Sequence, residues 1–317
     1  MDSPAGNGWQ NKNVLVTGAA GFLGSHLTMK LVDLGACVTI LERDFTPKSY
    51  LVKMGYVRRV NRVRGDVRDY SLIERALAEY EIDLVFHIAA QSIVSIGEKM
   101  PIQTFEQNII GTAKVLEACR HSGVKRVLVA TSDKAYGDSD KLPYQEHYPL
   151  HGLHPYAVSK SCEDLIAQTY IETYGQSIVI VRCGNMYGPG DLNFSRIIPK
   201  TIRNLLTGQP PTIYGDGKMV RDYTYVEDAA DACIFLMERG ADGPYNVSGE
   251  AVRKVEEVIL AISEMMGVDI PPIFIGVNNE IADQWLDISK IRSAGWEPGF
   301  TFAEGLDRTI RYYRSVV

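Results

Sequence analysis

Three glycines at positions 18, 21 and 24, set between an apolar run and a helical pattern, narrow the fold of this 317-residue chain more than any other feature. Val14-Leu15-Val16-Thr17 reads as a buried strand, and Gly24 to Leu34 as a helix. In such a unit Gly18 permits the tight turn and Gly21 lets backbone N–H groups approach a pyrophosphate. Gly24 lets helix and strand pack closely. The helix N-terminus then faces the phosphate charge. The spacing is G-x-x-G-x-x-G, one residue longer in its first gap than G-x-G-x-x-G. What gives it weight is the order strand, glycines, helix.

The pattern continues. Strands are expected at Cys37 to Leu41, Arg62 to Arg64, Leu84 to His87, Arg126 to Ala130 and Ser177 to Arg182. Helices are expected at Ser71 to Tyr80, Gln107 to Ser122 and Tyr156 to Tyr174. Alternation of this kind implies an α/β fold with a doubly wound parallel sheet of Rossmann type, binding its ligand at the carboxyl ends of the strands. Past Gly188-Pro189-Gly190 prolines and glycines break the pattern, which suggests a smaller C-terminal substrate-binding domain. The expected division is a flexible lead over 1–12 and a dinucleotide-binding part over 13–187, with a return around 219–240. The substrate-binding part takes 188–218 and 241–317.

Composition removes several classes of function. A net charge of −6 argues against a general nucleic-acid binder. No apolar run approaches ~18 residues, so no membrane span is expected. Met1 to Asn13 lacks the basic-then-apolar pattern of a secretory signal, and the expected location is cytoplasmic. Cys37, Cys119, Cys162, Cys183 and Cys233 lack metal-ligand spacing; they read as reduced thiols, and no metal is expected.

Further along, the second strand ends in Leu41-Glu42-Arg43-Asp44. A carboxylate there can bond the adenosine ribose hydroxyls, which favours NAD, while Arg43 leaves a 2′-phosphate, and so NADP, open. Asp66, before Val67, can accept from an adenine amino group. Ala89, Ala90 and Gln91 follow the fourth strand with small residues where the nicotinamide end would pass. Tyr156 and Lys160 are an i, i+4 pair on one helix face, and a nearby ammonium lowers the pKa of a phenol. The strand before them ends in Thr131-Ser132-Asp133-Lys134, offering a hydroxyl to a substrate alcohol.

With these residues in view the chain resembles the extended short-chain dehydrogenase/reductases, specifically the NAD-dependent sugar epimerase/dehydratase family. The likeness runs from about Asn13 to about Pro298. It rests on Thr17 to Gly24, Gly65-Asp66, Asn108, Ser132, Tyr156 with Lys160, Asn185 and Arg221-Asp222-Tyr223. The resemblance implies that Tyr156 is the proton acceptor, that Lys160 also binds the nicotinamide ribose, and that Ser132 orients the hydroxyl being oxidised. It adds Phe22, Leu23, Val67 and Asn108 to the cofactor site. Asn185, Arg196, Tyr214 and Arg221 fall on the side of a nucleotide-diphosphate sugar, with Arg221 as the expected diphosphate clamp. The family's dimer interface would be built from the helices at 107–122 and 156–174, so a homodimer is expected.

Asp133-Lys134 bears on which reaction follows. A 4-epimerase needs only oxidation at C4, rotation of the keto sugar and reduction. A 4,6-dehydratase must also remove the C5 proton and protonate the departing C6 hydroxyl, which calls for two ionisable groups beside the tyrosine. Thr-Ser-Asp-Lys resembles CDP-glucose 4,6-dehydratases; the expected roles are Asp133 as acid and Lys134 as base, with the partition between them open. The product would be a nucleotide-bound 4-keto-6-deoxyhexose. The alternatives are a nucleotide-sugar 4-epimerase or a uronic acid decarboxylase-like enzyme, and a non-catalytic NAD(P)-binding regulator, against which Ser132, Tyr156 and Lys160 speak. Two departures stand out. The Arg-Pro pair that family members often carry about ten residues before an Asp-x-Ser-Lys segment is missing from Ile275 to Glu280, and the CDP-glucose-type continuation after Arg196 is absent. The base of the nucleotide is therefore open.

Overall fold

The computed structural model describes residues 8–249, 251–276 and 283–317. Residues 1–7 of the N-terminal lead, and 277–280 in the stretch that lacks the Arg-Pro pair, lie outside the described residues. Among those described, the strands are β1 (Asn13–Thr17), β2 (Cys37–Glu42), β3 (Asn61–Arg64), β4 (Leu84–His87), β5 (Arg126–Ser132), β6 (Ile178–Cys183), β7 (Asn185–Tyr187), β8 (Thr212–Tyr214), β9 (Val220–Tyr225), β10 (Gly243–Val247), β11 (Ala251–Lys254), β12 (Ile273–Ile275) and β13 (Asp283–Gln284).

The chain forms two compact units. The first takes the chain to Gly137, then Tyr148–Arg182 and Ala230–Tyr245; the second takes Asp138–His147, Cys183–Ala229 and Asn246–Val317. The first is the doubly wound sheet, in the order β10-β6-β5-β4-β1-β2-β3. β1 pairs in parallel with both β2 and β4, as do β2 with β3 and β4 with β5. Leu15, Val16, Val85, Phe86, Val127 to Val129 and Ile178 to Val181 are wholly buried, the continuous apolar runs of a sheet covered on both faces. Because β1 lies between β2 and β4, the winding reverses there, and the carboxyl ends of β1 and β4 flank the switch-point crevice.

The division differs from the expected one: residues 138–147 and 183–187 belong to the second unit and 241–245 to the first, and two further features depart from the sequence reading. Residues 8–12 are not a flexible lead. The Trp9 ring is buried, 5.9 Å from that of Phe86, with its N–H on the Glu238 carboxylate, and Cys37 N donates to Lys12 O at 2.9 Å. Residues 219–229 do not return to the large sheet, because β9 pairs with β7, β11 and β13 inside the second unit. That unit centres on β9 and an aromatic cluster that includes Tyr187, Tyr223, Tyr225 and Phe302.

Candidate active site

Two elements of the first unit carry the expected reacting groups. β5 ends at Ser132, whose Oγ donates to Asp133 Oδ1 at 3.0 Å and accepts from Lys134 N at 3.2 Å, capping a short 3₁₀ turn over Asp133–Tyr136. Lys134 Nζ lies 3.1 Å from Asp133 Oδ2. The Asp133 side chain is only 2% exposed, so this is not a surface ion pair. The second element is the helix Pro155–Tyr174. Proline at its first position spares an N–H that has no helical partner and sets Tyr156 in the first turn. Ser161 Oγ bonds Ala135 O at 2.8 Å and accepts from Gly152 N, which locks the helix onto the Asp133–Tyr136 turn. Tyr156 is half-buried, and Lys160, one turn on, is buried.

Asn108 plays a different part from the one expected of it. It sits in a π turn over Glu106–Ile110, ahead of the helix Gly111–His121, where an unbroken helix from Gln107 was expected. Its Oδ1 accepts from Gln91 N at 2.7 Å, and its Nδ2 donates to Gln91 O and to Ser159 Oγ. Fully buried, with both amide protons committed within the protein, it acts by tying the loop after β4 to the Tyr156 helix.

The second unit gathers the residues expected on the substrate side. β7 pairs with β9 so that Asn185 faces Tyr223, two residues from Arg221 and on its face of the sheet. Arg221 is buried and donates to Val220 O at 2.9 Å. Arg196 begins the helix Ile197–Leu206 and pairs with the buried Asp191 at 3.1 Å, so it is not a solvated arginine. One turn further on, Lys200 donates to the Tyr214 hydroxyl at 3.2 Å and stands 4.7 Å above its ring. Lys200 escaped the sequence reading because only the return of β8 brings Tyr214 to it.

Residues 14–248 match the NAD-dependent epimerase/dehydratase family. The chain belongs to that family. It is 30% identical to the CDP-glucose 4,6-dehydratase of Salmonella typhimurium, over 98% of this chain and 92% of that protein. A trifunctional UDP-glucose 4,6-dehydratase, 3,5-epimerase and reductase of Arabidopsis thaliana is also 30% identical, over 96% of this chain but 48% of its own length; the chain spans about half of such relatives. Among solved structures, the dTDP-glucose 4,6-dehydratase of Streptomyces venezuelae, with NAD bound, superposes with a TM-score of 0.89 at 32% identity, over 96% of this chain and 97% of that one. The UDP-glucose 4-epimerase of Thermotoga maritima reaches 0.90 at 29%, over 96% and 99%.

The residues of this chain fit NAD. Gly18 has a φ of +72°, and a Cβ on it would lie 2.6 Å from Ala89 N. A Cβ on Gly24 would lie 2.1 Å from Gly18 O. Both contacts are with backbone and cannot yield. The helix Phe22–Asp33 starts at Gly21 with no acidic residue in its first turn, so its N-terminal dipole is left for an anion. Leu23 is buried, which leaves its backbone to serve the phosphates, and Phe22 packs edge-on against His26. Beside the carboxyl ends of β2 and β3 a pocket of about 250 Å³ is lined by Glu42, Phe45, Arg62 and Arg64. Glu42 accepts from Arg62 at 2.6 Å, whereas Arg43 is held by Asp44 at 2.6 Å. A buried carboxylate at this place suits ribose hydroxyls and opposes a 2′-phosphate. Burial raises the Asp66 pKa, but the Arg68 side chain and N–H outweigh it and hold the carboxyl below its usual range. Val67 is buried against Gly111. Gly24→Ala is expected to cost about 1–3 kcal/mol of stability and to leave the purified protein without NAD, as read by thermal denaturation and by the nucleotide released on denaturing.

Proposed function

We propose that the chain is a nucleotide-sugar 4,6-dehydratase that binds NAD, converting a nucleotide-bound hexose to its 4-keto-6-deoxy form. The observation that carries this reading is the pair of buried Asp133 and half-buried Lys134 beside Ser132 at the end of β5. An epimerase has no step for two such groups, whereas elimination of water has two proton transfers for them. When bound, NAD supplies the reversible two-electron oxidation of the sugar. The side chains do the rest. Ser132 orients the C4 hydroxyl, and Tyr156, beside the Lys160 ammonium, takes its proton. A proton shift within the ion pair gives a neutral Lys134 amine and an Asp133 carboxylic acid. The amine takes the C5 proton, which the 4-ketone has acidified, and the acid protonates the C6 oxygen as it leaves as water. This leaves Lys134 an ammonium and Asp133 a carboxylate; as C6 is reduced the ammonium would return a proton to C5, and the proton taken by Tyr156 would restore the pair through solvent. Arg221 and Arg196 supply cationic groups that suit a diphosphate, Asn185 an amide for a sugar or phosphate oxygen, and Tyr214 a ring that suits a base.

Exposed Ile102, Ile110 and Leu165, on three helical segments of the first unit, support self-association as part of the same proposal. The test is incubation of the NAD-loaded protein with CDP-, UDP-, dTDP- and GDP-hexoses, read by mass spectrometry. The expected product has lost one water, with solvent deuterium at C5. Unchanged mass with an inverted C4 would make the chain an epimerase, loss of CO₂ from a uronic acid a decarboxylase, and no turnover of any sugar would remove the enzymatic reading.

A further inference from the structure

Behind the Tyr156 helix a file of buried polar groups crosses the first unit. Thr17 Oγ1 accepts from Ile88 N and Ala89 N, both at 3.2 Å. With its two lone pairs taken, its proton goes to His87 Nδ1, 2.8 Å away. Burial draws the His87 pKa down to about 3, and Lys160 adds to the effect, so the imidazole is neutral. Its remaining proton sits on Nε2, which donates to Thr112 Oγ1 at 2.9 Å, and Thr112 donates onward to Glu163 Oε1 at 3.3 Å. The other carboxylate oxygen accepts from Lys160 Nζ at 2.7 Å, and Lys160 donates again to Ala130 O at 3.0 Å. The side chains of Lys160 and Glu163 are 3% and 1% exposed. Every donor in the file points toward Glu163, starting from the residue that precedes Gly18.

We propose that Glu163 is the positioning residue of Lys160: its carboxylate, aimed by the Thr17–His87–Thr112 file, holds the ammonium charged and in register with Tyr156. The inference rests on the reading of Tyr156 and Lys160 as reacting groups. Among the described residues, the neighbouring buried carboxylates have partners of their own. Asp164 on the same helix is held by Arg182 of β6, and Asp133 is held by Lys134. On the helices packed against this one, Glu98, Lys99, Glu106 and Arg120 are exposed, while Lys114 and Glu117 engage Arg68 O and Arg120. A buried ammonium without its counter-charge gives up its proton, and a neutral amine no longer favours the phenolate of Tyr156.

The test titrates Tyr156 in NAD-loaded protein by phenolate absorbance, taken as the difference between each protein and its Tyr156→Phe counterpart. Glu163→Gln is expected to raise the midpoint by a unit or more, about tenfold less phenolate at a given pH. Glu163→Asp, which keeps the charge, returns it toward the wild-type value. An unchanged or lowered midpoint in Glu163→Gln would overturn the proposal. If Glu163→Gln folds poorly, the Lys160→Met/Glu163→Gln double variant must be the more stable of the two, because the stranded charge is what destabilises. A double variant no more stable than the single one would also overturn it. None of these measurements needs a sugar, so their failure is distinct from a failure of the sugar panel.

Discussion

Asp133→Asn is expected to lower turnover of the nucleotide sugar about 10²–10⁴-fold, the usual worth of a positioned proton donor. Asparagine keeps the shape of the side chain and can still accept from Ser132 Oγ, a bond of 3.0 Å in the wild type, so the end of β5 should hold its form. It cannot carry a proton to the C6 oxygen. Oxidation at C4 relies on Tyr156, Lys160 and Ser132 and should continue. The variant is therefore expected to stall with NAD reduced and the sugar unreleased, seen as nicotinamide absorbance in a single turnover. Binding should change little, so the loss falls on kcat and not on KM. Lys134→Met should behave alike, without deuterium entering C5. For an epimerase the two substitutions would be mild, since its chemistry ends where theirs begins. A fall of less than about tenfold in Asp133→Asn, outside the range of a proton-transfer residue, would remove elimination from the reaction.

What could be read from the sequence shares one property: the residues that make each feature are close together in the chain. Gly18, Gly21 and Gly24 form one turn, Tyr156 and Lys160 one helical turn, and Ser132 to Lys134 one strand end; local spacing was enough to place all three. Six of the seven strands of the large sheet were legible for the same reason, most of them as short apolar runs, whereas β10 fell inside the part expected to bind substrate. Features made by distant residues were not. The contacts of Asn108 were hidden because its partners, Gln91 and Ser159, meet it only when the loop after β4 folds against the Tyr156 helix. His87 ended a strand with no sign that Thr17 and Thr112 would bracket its ring. Glu163 alone had given a signal, lying three residues beyond Lys160 on the same helix face. Residues 138–147 fell within the expected dinucleotide-binding part over 13–187, yet they belong to the second unit, where Tyr144 is wholly buried and bridges Leu286.

Asp164→Asn is expected to destabilise the protein by about 3–5 kcal/mol, the cost of leaving a buried charge without its partner. Arg182 is 1% exposed and grips Asp164 with two bonds of 2.8 Å, Nε to Oδ2 and Nη2 to Oδ1. Thr131 and Gln168 donate to the same carboxylate, at 3.1 and 2.7 Å. Asparagine keeps one acceptor of the two and none of the charge, and a guanidinium cannot shed its proton to escape. The result is to be read from urea denaturation; a change of under about 1 kcal/mol, the scale of an exposed pair, would mean that water reaches Arg182 after all. The double replacement Arg182→Met/Asp164→Leu should recover much of the stability, since paired removal of a buried ion pair is often neutral. Activity should not return with it. The third Arg182 bond, Nη1 to the Tyr136 hydroxyl at 2.8 Å, with the guanidinium 4.9 Å over the Tyr136 ring, holds the far end of the turn that carries Asp133 and Lys134. A core that tolerates the swap would thus be stable with its proton-transfer turn adrift, and separating the two outcomes distinguishes what Arg182 does for folding from what it does for the site.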